Sequence, residues 1–226
     1  MQNSLFEEHA DESFDLVGAK LRVIRSWLDS ETAMLAFRNI QQKTQWQNPK
    51  IKMGGQWVTI PRLQAWHGVD ALKFTYSDFS FIAEPMFEDL TRFQQRLESE
   101  FNETFNSVLV NCYRNASDSV SWHADDEVEF GFEPTIASLS LGESRRFCLK
   151  PKQSLLDNAQ AGSSTRNTLP RSTQKLELLL HSGDLLVMSG ATQSNWLHCV
   201  PKENFPCDPR INLTFRKIVE PPMRGP

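Results

Sequence analysis

The sequence lacks a long uninterrupted apolar run, and its N-terminal segment MQNSLFEEHADESFD is acidic. A membrane helix needs about 18 mostly apolar residues, and a secretory leader begins with a basic segment followed by an apolar one. Neither pattern is present, and no basic cluster typical of a nuclear signal lies near either end. We therefore expect a soluble protein without membrane partners, located in the cytoplasm, with the nucleus as the alternative in a eukaryotic host.

Cysteine is scarce, and no CxxC pair indicates a zinc knuckle or a redox motif. The four cysteines are Cys112, Cys148, Cys199 and Cys207. In an intracellular protein we expect reduced thiols, with a Cys199–Cys207 disulfide as the less favoured alternative.

An excess of positive charge is also missing, since the formal net charge is -4. This excludes a nucleic-acid coat protein, whose affinity comes largely from neutralised phosphates. Any nucleic-acid binding must be local, and basic residues do gather at 50–62, at 145–152 and at 166–175. Ordinary solvated surface is the alternative interpretation of these clusters, and charge alone favours it.

The chain of 226 residues with 39% hydrophobic content is long enough for one domain with a sizeable core. The spacing of Ala33, Met34 and Phe37 predicts a short helix over 30–38. A longer helix is predicted from Pro85 to Phe101, because apolar residues recur there at intervals of three and four. We predict one structural domain with four segments: an N-terminal extension and helix (1–50), a lid with its supporting helix (51–106), a core (107–219) and a tail (220–226).

From residue 107 onward the sequence consists of short runs of apolar and β-branched residues separated by turn residues. The runs are SVLVNCY, TIASLSL, RRFCLK, KLELLL, DLLVMS and RINLTFRK. Many short strands with turn signals predict a mainly β fold, a sandwich or barrel, with flanking helices. The polar segment 157–174 predicts a mobile loop inserted between strands.

His123 and Asp125 are one residue apart, so on an extended backbone their side chains point to the same side. A third ligand is available from His198, which follows the predicted strand DLLVMS and would lie near them on a returning strand. Two imidazoles and one carboxylate on one face are the ligand set of non-haem iron(II) oxygenases. An HxD pattern on its own, however, often arises by chance.

The C-terminal run PRINLTFRK strengthens the oxygenase interpretation. Arg210, Asn212, Thr214 and Arg216 alternate with apolar residues, so one strand face is polar and cationic. A guanidinium pairs with a carboxylate through two parallel hydrogen bonds, which suits a dicarboxylic acid reaching from the metal into the sheet. The solvent-facing side of an edge strand is the alternative.

Asn111 and Tyr113 share one face of the strand that leads into the HxD segment. Either side chain can hydrogen-bond the same acid, although a satisfied core tyrosine is the simpler interpretation.

With these residues in place, the sequence resembles the AlkB family of nucleic-acid dealkylating dioxygenases, and within it the branch that acts on duplex DNA. The resemblance runs from about Gly55 to Ile218. It is carried by the ordered series GQWVTIPRLQAWHG, NCYRNASDSVSWHADDE, IASLSLGESRRF, HSGDLLVMSGATQSNWLHCVPK and PRINLTFRKI.

The resemblance implies a double-stranded β-helix (jelly roll) that uses Fe(II), 2-oxoglutarate and O₂. By this resemblance His123, Asp125 and His198 hold the iron. Arg210 pairs with the distal carboxylate of 2-oxoglutarate, and Arg216 lies near its metal-chelating end. The same resemblance assigns supporting contacts to Asn111, Tyr113, Asn212 and Thr214.

The resemblance also implies a substrate lid over 53–77, with Phe74, Tyr76 and His123 around a flipped base. Asp126 and Glu127 fall where family members place carboxylates that contact the base, and a solvated acidic turn is the equal alternative. Arg62 belongs to the expected basic lining. Met53 stands where duplex-specific relatives carry a bulky aromatic wedge; an apolar methionine can also act as a wedge, so strand preference stays open.

The resemblance implies a DNA-repair dioxygenase that removes N-methyl lesions such as 1-methyladenine and 3-methylcytosine, and we expect a monomer. RNA, a protein or a small molecule is the alternative substrate for the same chemistry. A catalytically inactive jelly-roll binding module is the alternative from another class, and loss of a metal ligand would favour it.

Overall fold

The computed structural model describes residues 11–69, 73–76, 79–161 and 174–219, and at 15, 53, 73–76, 79–82 and 158–161 it describes the backbone only. The strands in these ranges are β1 (Asp11–Leu16), β2 (Ala19–Ile24), β3 (Lys50–Met53), β4 (Gln56–Thr59), β5 (Leu63–Gly68), β6 (Lys73–Tyr76), β7 (Phe79–Ile82), β8 (Glu84–Pro85), β9 (Ser107–Tyr113), β10 (Val120–His123), β11 (Ile136–Gly142), β12 (Arg145–Pro151), β13 (Leu176–Leu180), β14 (Leu185–Ser189), β15 (Trp196–Val200) and β16 (Arg210–Arg216).

The helices in the described ranges are α1 (Ser30–Lys43), α2 (Glu88–Phe101), α3 (Gln153–Ala161) and α4 (Thr192–Asn195), together with a 3₁₀ turn at Val128–Phe130. In this part of the chain no helix is long and apolar enough to cross a bilayer.

Two sheets form the body of the molecule, with antiparallel pairing throughout except between β5 and β8, which are parallel. The large sheet has the order β1-β2-β14-β11-β16-β9-β5-β8, and the small sheet has the order β10-β15-β12-β13. One apolar cluster packs α1 and α2 against the outer face of the large sheet, and a second fills the space between the layers. This architecture confirms the predicted mainly β, double-stranded β-helix fold with flanking helices.

The six predicted runs all form strands, namely β9, β11, β12, β13, β14 and β16. In β16 the alternation separates two environments. Ile211, Leu213 and Phe215 belong to the core under α1 and α2, whereas Arg210 and Arg216 line the cavity between the sheets. All seven residues of this strand are buried, so the interpretation of its polar side as a solvent-facing edge is wrong.

Both predicted helices exist, but their bounds differ from the prediction. The first continues to Lys43 because Ile40 extends its buried stripe, and Asp29 caps it by accepting from the Thr32 N–H. Met34, predicted to be on the apolar face, is exposed. The second helix begins at Glu88, since Pro85 belongs to the short strand β8.

The N-terminal segment is more than an extension with one helix. Strand β2 pairs with β14 and carries β1 at the edge of the large sheet. Val23 and Leu21 of β2 pack in the core between the sheets. The sequence analysis missed these strands because AKLRVI alternates charged and apolar residues over only six positions.

Two hairpins occupy the segment predicted as the lid. Strands β3 and β4 are joined through Gly54 and Gly55, which both have positive φ, a turn that favours glycine. Strands β6 and β7 form the second hairpin. The side chains of Met53, Phe74 and Tyr76 lie outside the described part of the structure, so their substrate contacts stay predictions.

The segment 157–174 departs from the predicted loop at its start, because α3 extends to Ala161. The helix is anchored by buried Leu155 and by a Gln153–Asp157 hydrogen bond one turn apart. Residues 162–173 lie outside the described ranges, so the rest of this prediction is untested.

All four cysteines are free thiols, as predicted, and the alternative Cys199–Cys207 disulfide is absent. The basic cluster at 145–152 does not form one solvated surface, since Arg145 is fully buried. Its guanidinium donates to the carbonyl oxygens of Asn115, Asp118 and Pro201.

Candidate active site

The structure brings His123, Asp125 and His198 together at one end of the cavity between the sheets. One ligand atom from each residue lies within 4.8 Å of those of the other two, and no other such group of three exists among the described residues. His123 and His198 are directly opposite each other on β10 and β15. Asp125 lies two residues after β10, where the chain has left the sheet.

The orientation of both imidazoles suits metal binding. The His123 Nδ1 lies 2.8 Å from the Ser121 carbonyl oxygen. Because a carbonyl can only accept, Nδ1 carries the proton and Nε2 presents its lone pair toward Asp125. The His198 ring stacks on Phe147 and lies 4.2 Å from the His123 ring centroid.

Electrostatics keep the triad in the protonation state that a metal requires. Burial by itself would raise the pKa of Asp125, but Arg216 and the two histidines lower it to about 2. Burial, aided by His123, lowers the pKa of His198 to about 3. The site therefore contains an ionised carboxylate and a neutral buried imidazole, which are the forms that bind cations.

Arg216 pairs directly with the triad. Its Nη2 and Nε donate to the Asp125 Oδ2 at 2.7 and 3.2 Å, in a buried ion pair. The Asp125 Oδ1 accepts no hydrogen bond from this guanidinium. Arg216 thus orients the carboxylate and leaves one oxygen directed toward the histidines.

At the other end of the cavity Arg210 is fully buried and lacks a full set of partners. Its Nη2 donates to the Ser140 Oγ at 2.9 Å, whereas its Nε and Nη1 have no hydrogen-bond partner. Burial lowers the pKa of this guanidinium to about 10. An unsatisfied buried guanidinium is costly to the fold, so an anionic group is the expected partner at this position.

Tyr113 lies between two guanidinium groups. The Cζ atoms of Arg210 and Arg145 are 5.4 and 5.5 Å from its ring centroid. The tyrosine ring is buried and lines the cavity, so its hydroxyl and Arg210 face the same space.

The remaining polar residues predicted for 2-oxoglutarate line the same cavity. Asn212 donates to Ser138 and Leu139, and its Oδ1 accepts from Thr214. Asn111 accepts from the Arg62 Nε at 2.9 Å. These bonds fix the side chains as a preformed polar wall.

The cavity has a volume of about 170 Å³ and extends from the triad to Arg210. The residues present fit Fe(II) and 2-oxoglutarate: a two-histidine, one-carboxylate set at one end, and an unpaired buried cation at the other. A dicarboxylic acid has one anionic group for each end.

The two acidic residues after Asp125 have different environments. Glu127 lines the cavity, and its Oε2 is buried without a hydrogen-bond partner. Burial, with a smaller contribution from Asp125, raises the pKa of Glu127. Asp126 is exposed, pairs with Lys152 at 2.8 Å and does not line the cavity. The sequence predicted the same role for both carboxylates, but of the two only Glu127 lines the cavity.

Several lining residues were missed by sequence analysis. Ser138 lines the cavity, and Ser140 accepts a hydrogen bond from Arg210. The two alternate on β11 directly opposite Thr214 and Asn212 of β16, and this period of two was a signal that could have found them. Gln64 and Trp66 also line the cavity, but nothing in their local sequence distinguished them from ordinary strand residues. Lys50, from the basic cluster at 50–62, lines it as well.

Comparison with known proteins agrees with this geometry. Residues 20–216 match the family model of the 2OG-Fe(II) oxygenase superfamily. The chain is 41% identical over 167 residues to the alpha-ketoglutarate-dependent dioxygenase alkB homolog 3 of Homo sapiens, covering 74% of this chain and 54% of that protein. It is 34% identical over 187 residues to the DNA oxidative demethylase ALKBH2 of Mus musculus, covering 81% and 74%.

The chain spans about half the length of the alkB homolog 3 proteins that it matches. A solved structure of OsALKBH1 superposes with a TM-score of 0.59 at 16% identity, covering 87% of this chain and 97% of that one, which supports the fold. The match to the superfamily model and the identities to these relatives, together with the His123–Asp125–His198 triad, establish Fe(II) and 2-oxoglutarate as its cofactors. The chain belongs to the AlkB family of the 2OG-Fe(II) oxygenase superfamily.

Proposed function

We propose that this protein is an oxidative demethylase that removes N-methyl lesions, such as 1-methyladenine and 3-methylcytosine, from DNA. The observation that carries the proposal is the single cavity that holds the triad at one end and an unpaired buried Arg210 at the other. Support for a DNA substrate comes from ALKBH2, a relative whose name describes it as a DNA oxidative demethylase.

In this proposal His123, Asp125 and His198 hold Fe(II), which with 2-oxoglutarate and O₂ supplies the oxidation that turns an N-methyl group into a hydroxymethyl group, released as formaldehyde beside succinate. Arg210 would bind the distal carboxylate of 2-oxoglutarate through the nitrogens that lack partners. Arg216 would hold the Asp125 carboxylate in its ligating orientation. Asn111, Asn212 and Thr214, held by their hydrogen bonds, would line the path of the cosubstrate between these two ends.

A carboxylate beside the triad favours a cationic base at that end of the cavity. 1-Methyladenine and 3-methylcytosine carry a positive charge, and they pair poorly, which lowers the cost of extruding them from a duplex. Glu127 lines the cavity near the triad with a carboxylate oxygen, Oε2, that is buried and has no hydrogen-bond partner. Lys50 and Arg62 line the same cavity, where they are available to phosphate or base oxygens.

The test is mass spectrometry of methylated oligonucleotides after incubation with Fe(II), 2-oxoglutarate and air. Single-stranded DNA, duplex DNA and RNA of one sequence are compared, each carrying one lesion. The wild type should remove one CH₂ per lesion from DNA, and His123→Ala should remove none. His181→Ala is the matched control, because His181 is exposed and bonds Ser144 outside the site.

Three other outcomes would each contradict a different part of the proposal: the DNA substrate, nucleic acid as the substrate, or the enzymatic activity. Turnover of RNA in preference to both DNA forms would assign the same chemistry to RNA. Succinate formation that leaves every oligonucleotide unchanged would keep the oxygenase and exclude a nucleic-acid substrate. Absence of both succinate and demethylation would favour an inactive binding module.

A further inference from the structure

Gln193 is a buried polar residue that the proposed chemistry does not use. It lies in the short helix α4 and is 1% exposed. It is not among the residues that line the cavity, so it does not contact substrate or cofactor. A polar side chain buried to this degree requires hydrogen-bond partners, and its partners identify its role.

Both ends of the Gln193 amide make contacts. The Oε1 accepts from the main-chain N–H of Asp125 at 3.0 Å, in a buried hydrogen bond. The Nε2 donates to the Met188 Sδ at 3.7 Å. A thioether sulfur can only accept, so this contact fixes which end of the amide faces Asp125.

Helix α4 leads directly into β15, the strand that carries His198. Asp125, in contrast, lies in the segment after β10, which has left the sheet and has no strand ladder to hold it. The Gln193 side chain therefore joins Asp125, the member of the triad that lies outside the sheet, to the element that carries His198. The ion pair with Arg216 fixes the Asp125 carboxylate, and the Gln193 bond fixes its main chain.

We infer that Gln193 is a positioning residue of the metal centre, which sets the Asp125 main chain relative to His198. The inference rests on the proposed role of the triad as the metal site. Groups that orient metal ligands without touching the metal typically change metal affinity about 10- to 100-fold when they are removed. A residue that only satisfies a buried N–H would change the stability of the fold and leave metal affinity intact.

The experiment measures Mn(II) binding to the metal-free protein from the loss of the free Mn(II) signal in electron paramagnetic resonance. Gln193→Met keeps the length and removes the acceptor, and Gln193→Asn keeps the amide on a shorter chain. Gln193→Glu keeps an oxygen acceptor at the same reach. Thermal unfolding by circular dichroism reports the fold of each metal-free variant.

Thr192→Val is the matched control. Thr192 is also 1% exposed and lies in the same helix. Its hydroxyl donates to the Ser189 carbonyl and accepts from the Lys20 N–H, without contact to Asp125. This variant loses two partly buried hydrogen bonds, so it should have lower thermal stability and bind Mn(II) like the wild type.

We expect Gln193→Met and Gln193→Asn to bind Mn(II) about 10- to 100-fold more weakly than the wild type, and Gln193→Glu to retain most of the affinity. Wild-type affinity in folded Gln193→Met or Gln193→Asn would overturn the inference alone. If Gln193→Met does not fold, the comparison of Gln193→Asn with Gln193→Glu decides. A wild type that takes up no Mn(II), or takes it up equally after His123→Ala, would overturn the proposed metal site and this inference with it.

Discussion

Arg210 and Arg216 lie on one face of the same strand, but their guanidinium groups have different partners. Arg216 donates twice to the Asp125 carboxylate, so its charge is compensated within the protein. Arg210 bonds the Ser140 hydroxyl, interacts with Tyr113, and keeps two buried nitrogens, Nε and Nη1, without partners. Arg216 therefore completes an ion pair within the folded site, whereas Arg210 has nitrogens available to an anionic ligand.

Removal of the compensated cation should have the largest effect on the fold. In Arg216→Met the buried Asp125 carboxylate loses its ion-pair partner, and such losses cost about 3–5 kcal/mol. We expect this decrease in the unfolding free energy of the metal-free protein in denaturant titrations. Since the lost cation also lets the Asp125 pKa rise, the decrease should be larger at mildly alkaline than at acidic pH, where a proton neutralises the carboxylate.

Arg22→Met is the control for the Arg216 variant. Its ion pair with Asp11 is on the surface, where both side chains are more than two-fifths exposed. Such pairs contribute up to about 1 kcal/mol. Equal destabilisation by the two variants would contradict the assigned role of Arg216.

Arg210→Met should have the opposite effect on the fold and a large effect on ligand binding. Because its guanidinium is buried without full compensation, an apolar side chain of similar length should leave the metal-free protein as stable or more stable. The affinity for 2-oxoglutarate should fall about 30-fold or more, the cost of breaking a buried charge pair. Calorimetric titration measures the affinity, and denaturant unfolding measures the stability.

Arg210→Lys sharpens this prediction, because it keeps the charge and loses the two-pronged geometry. We expect 2-oxoglutarate affinity between those of the wild type and Arg210→Met. Unchanged affinity in Arg210→Met would show that the cosubstrate does not bind at this end of the cavity.

The pH dependence of the metal-free protein should reflect the Arg216 end of the site. The folded pKa of His198, lowered chiefly by burial, is about 3 against an ordinary 6.5. Between these values the unfolded chain binds a proton that the folded chain does not. The contribution of His198 to the unfolding free energy is therefore fully present above pH 6.5 and decreases as pH falls from 6.5 toward 3.

Asp125 continues the same trend at lower pH. Its folded pKa of about 2 lies below the ordinary 3.8, because Arg216 and the histidines outweigh burial. Its contribution is present above 3.8 and is lost as pH falls toward 2. Acidification through both windows should therefore lower the unfolding free energy of the metal-free protein by a few kcal/mol. Each pKa unit contributes on the order of 1.4 kcal/mol at most.

The measurement is the denaturant midpoint of the metal-free protein as a function of pH. His198→Phe should flatten the decrease between pH 6.5 and 3, since no imidazole is left to titrate at this position. A wild-type midpoint that stays constant across this window would contradict the lowered pKa of His198.

The comparison of the two arginines also shows what sequence could predict. Alternation along β16 placed Arg210 and Arg216 on one face, because the side-chain period of a strand is fixed at two. It could not predict that Asp125 pairs with Arg216, since that contact joins residues 91 positions apart in sequence. Local pattern fixes which face a residue occupies; the partner depends on how strands assemble.

Contacts between distant residues also explain the other differences between the sequence predictions and the structure. The period of three and four found α2, but the start at Glu88 depended on Pro85 joining β8. Strand β2 escaped detection because its burial depends on pairing with the distant β14. Gln193 had no signal at all, since its hydrogen bond to the Asp125 main chain joins residues 68 positions apart in sequence.

The smallest expected effect concerns substrate charge at the two acidic residues near Asp125. Glu127 faces the cavity without a hydrogen-bond partner for its Oε2, and Asp126 is exposed and paired with Lys152. In the proposed function Glu127→Gln should lower kcat/KM for cationic 1-methyladenine about tenfold, a loss of about 1.4 kcal/mol, with little change for the neutral lesion 3-methylthymine. Asp126→Asn should change neither by more than about twofold, because exposed charges interact weakly.

The ratio of the two substrates is the informative quantity, since it cancels any general loss of active enzyme. Competition between the cationic and the neutral lesion in one reaction, followed by mass spectrometry, measures it directly. A larger effect from Asp126→Asn than from Glu127→Gln would mean that the substrate approaches over the surface of the acidic turn. The cavity described between the sheets would then hold the cosubstrate alone, with the base bound outside it.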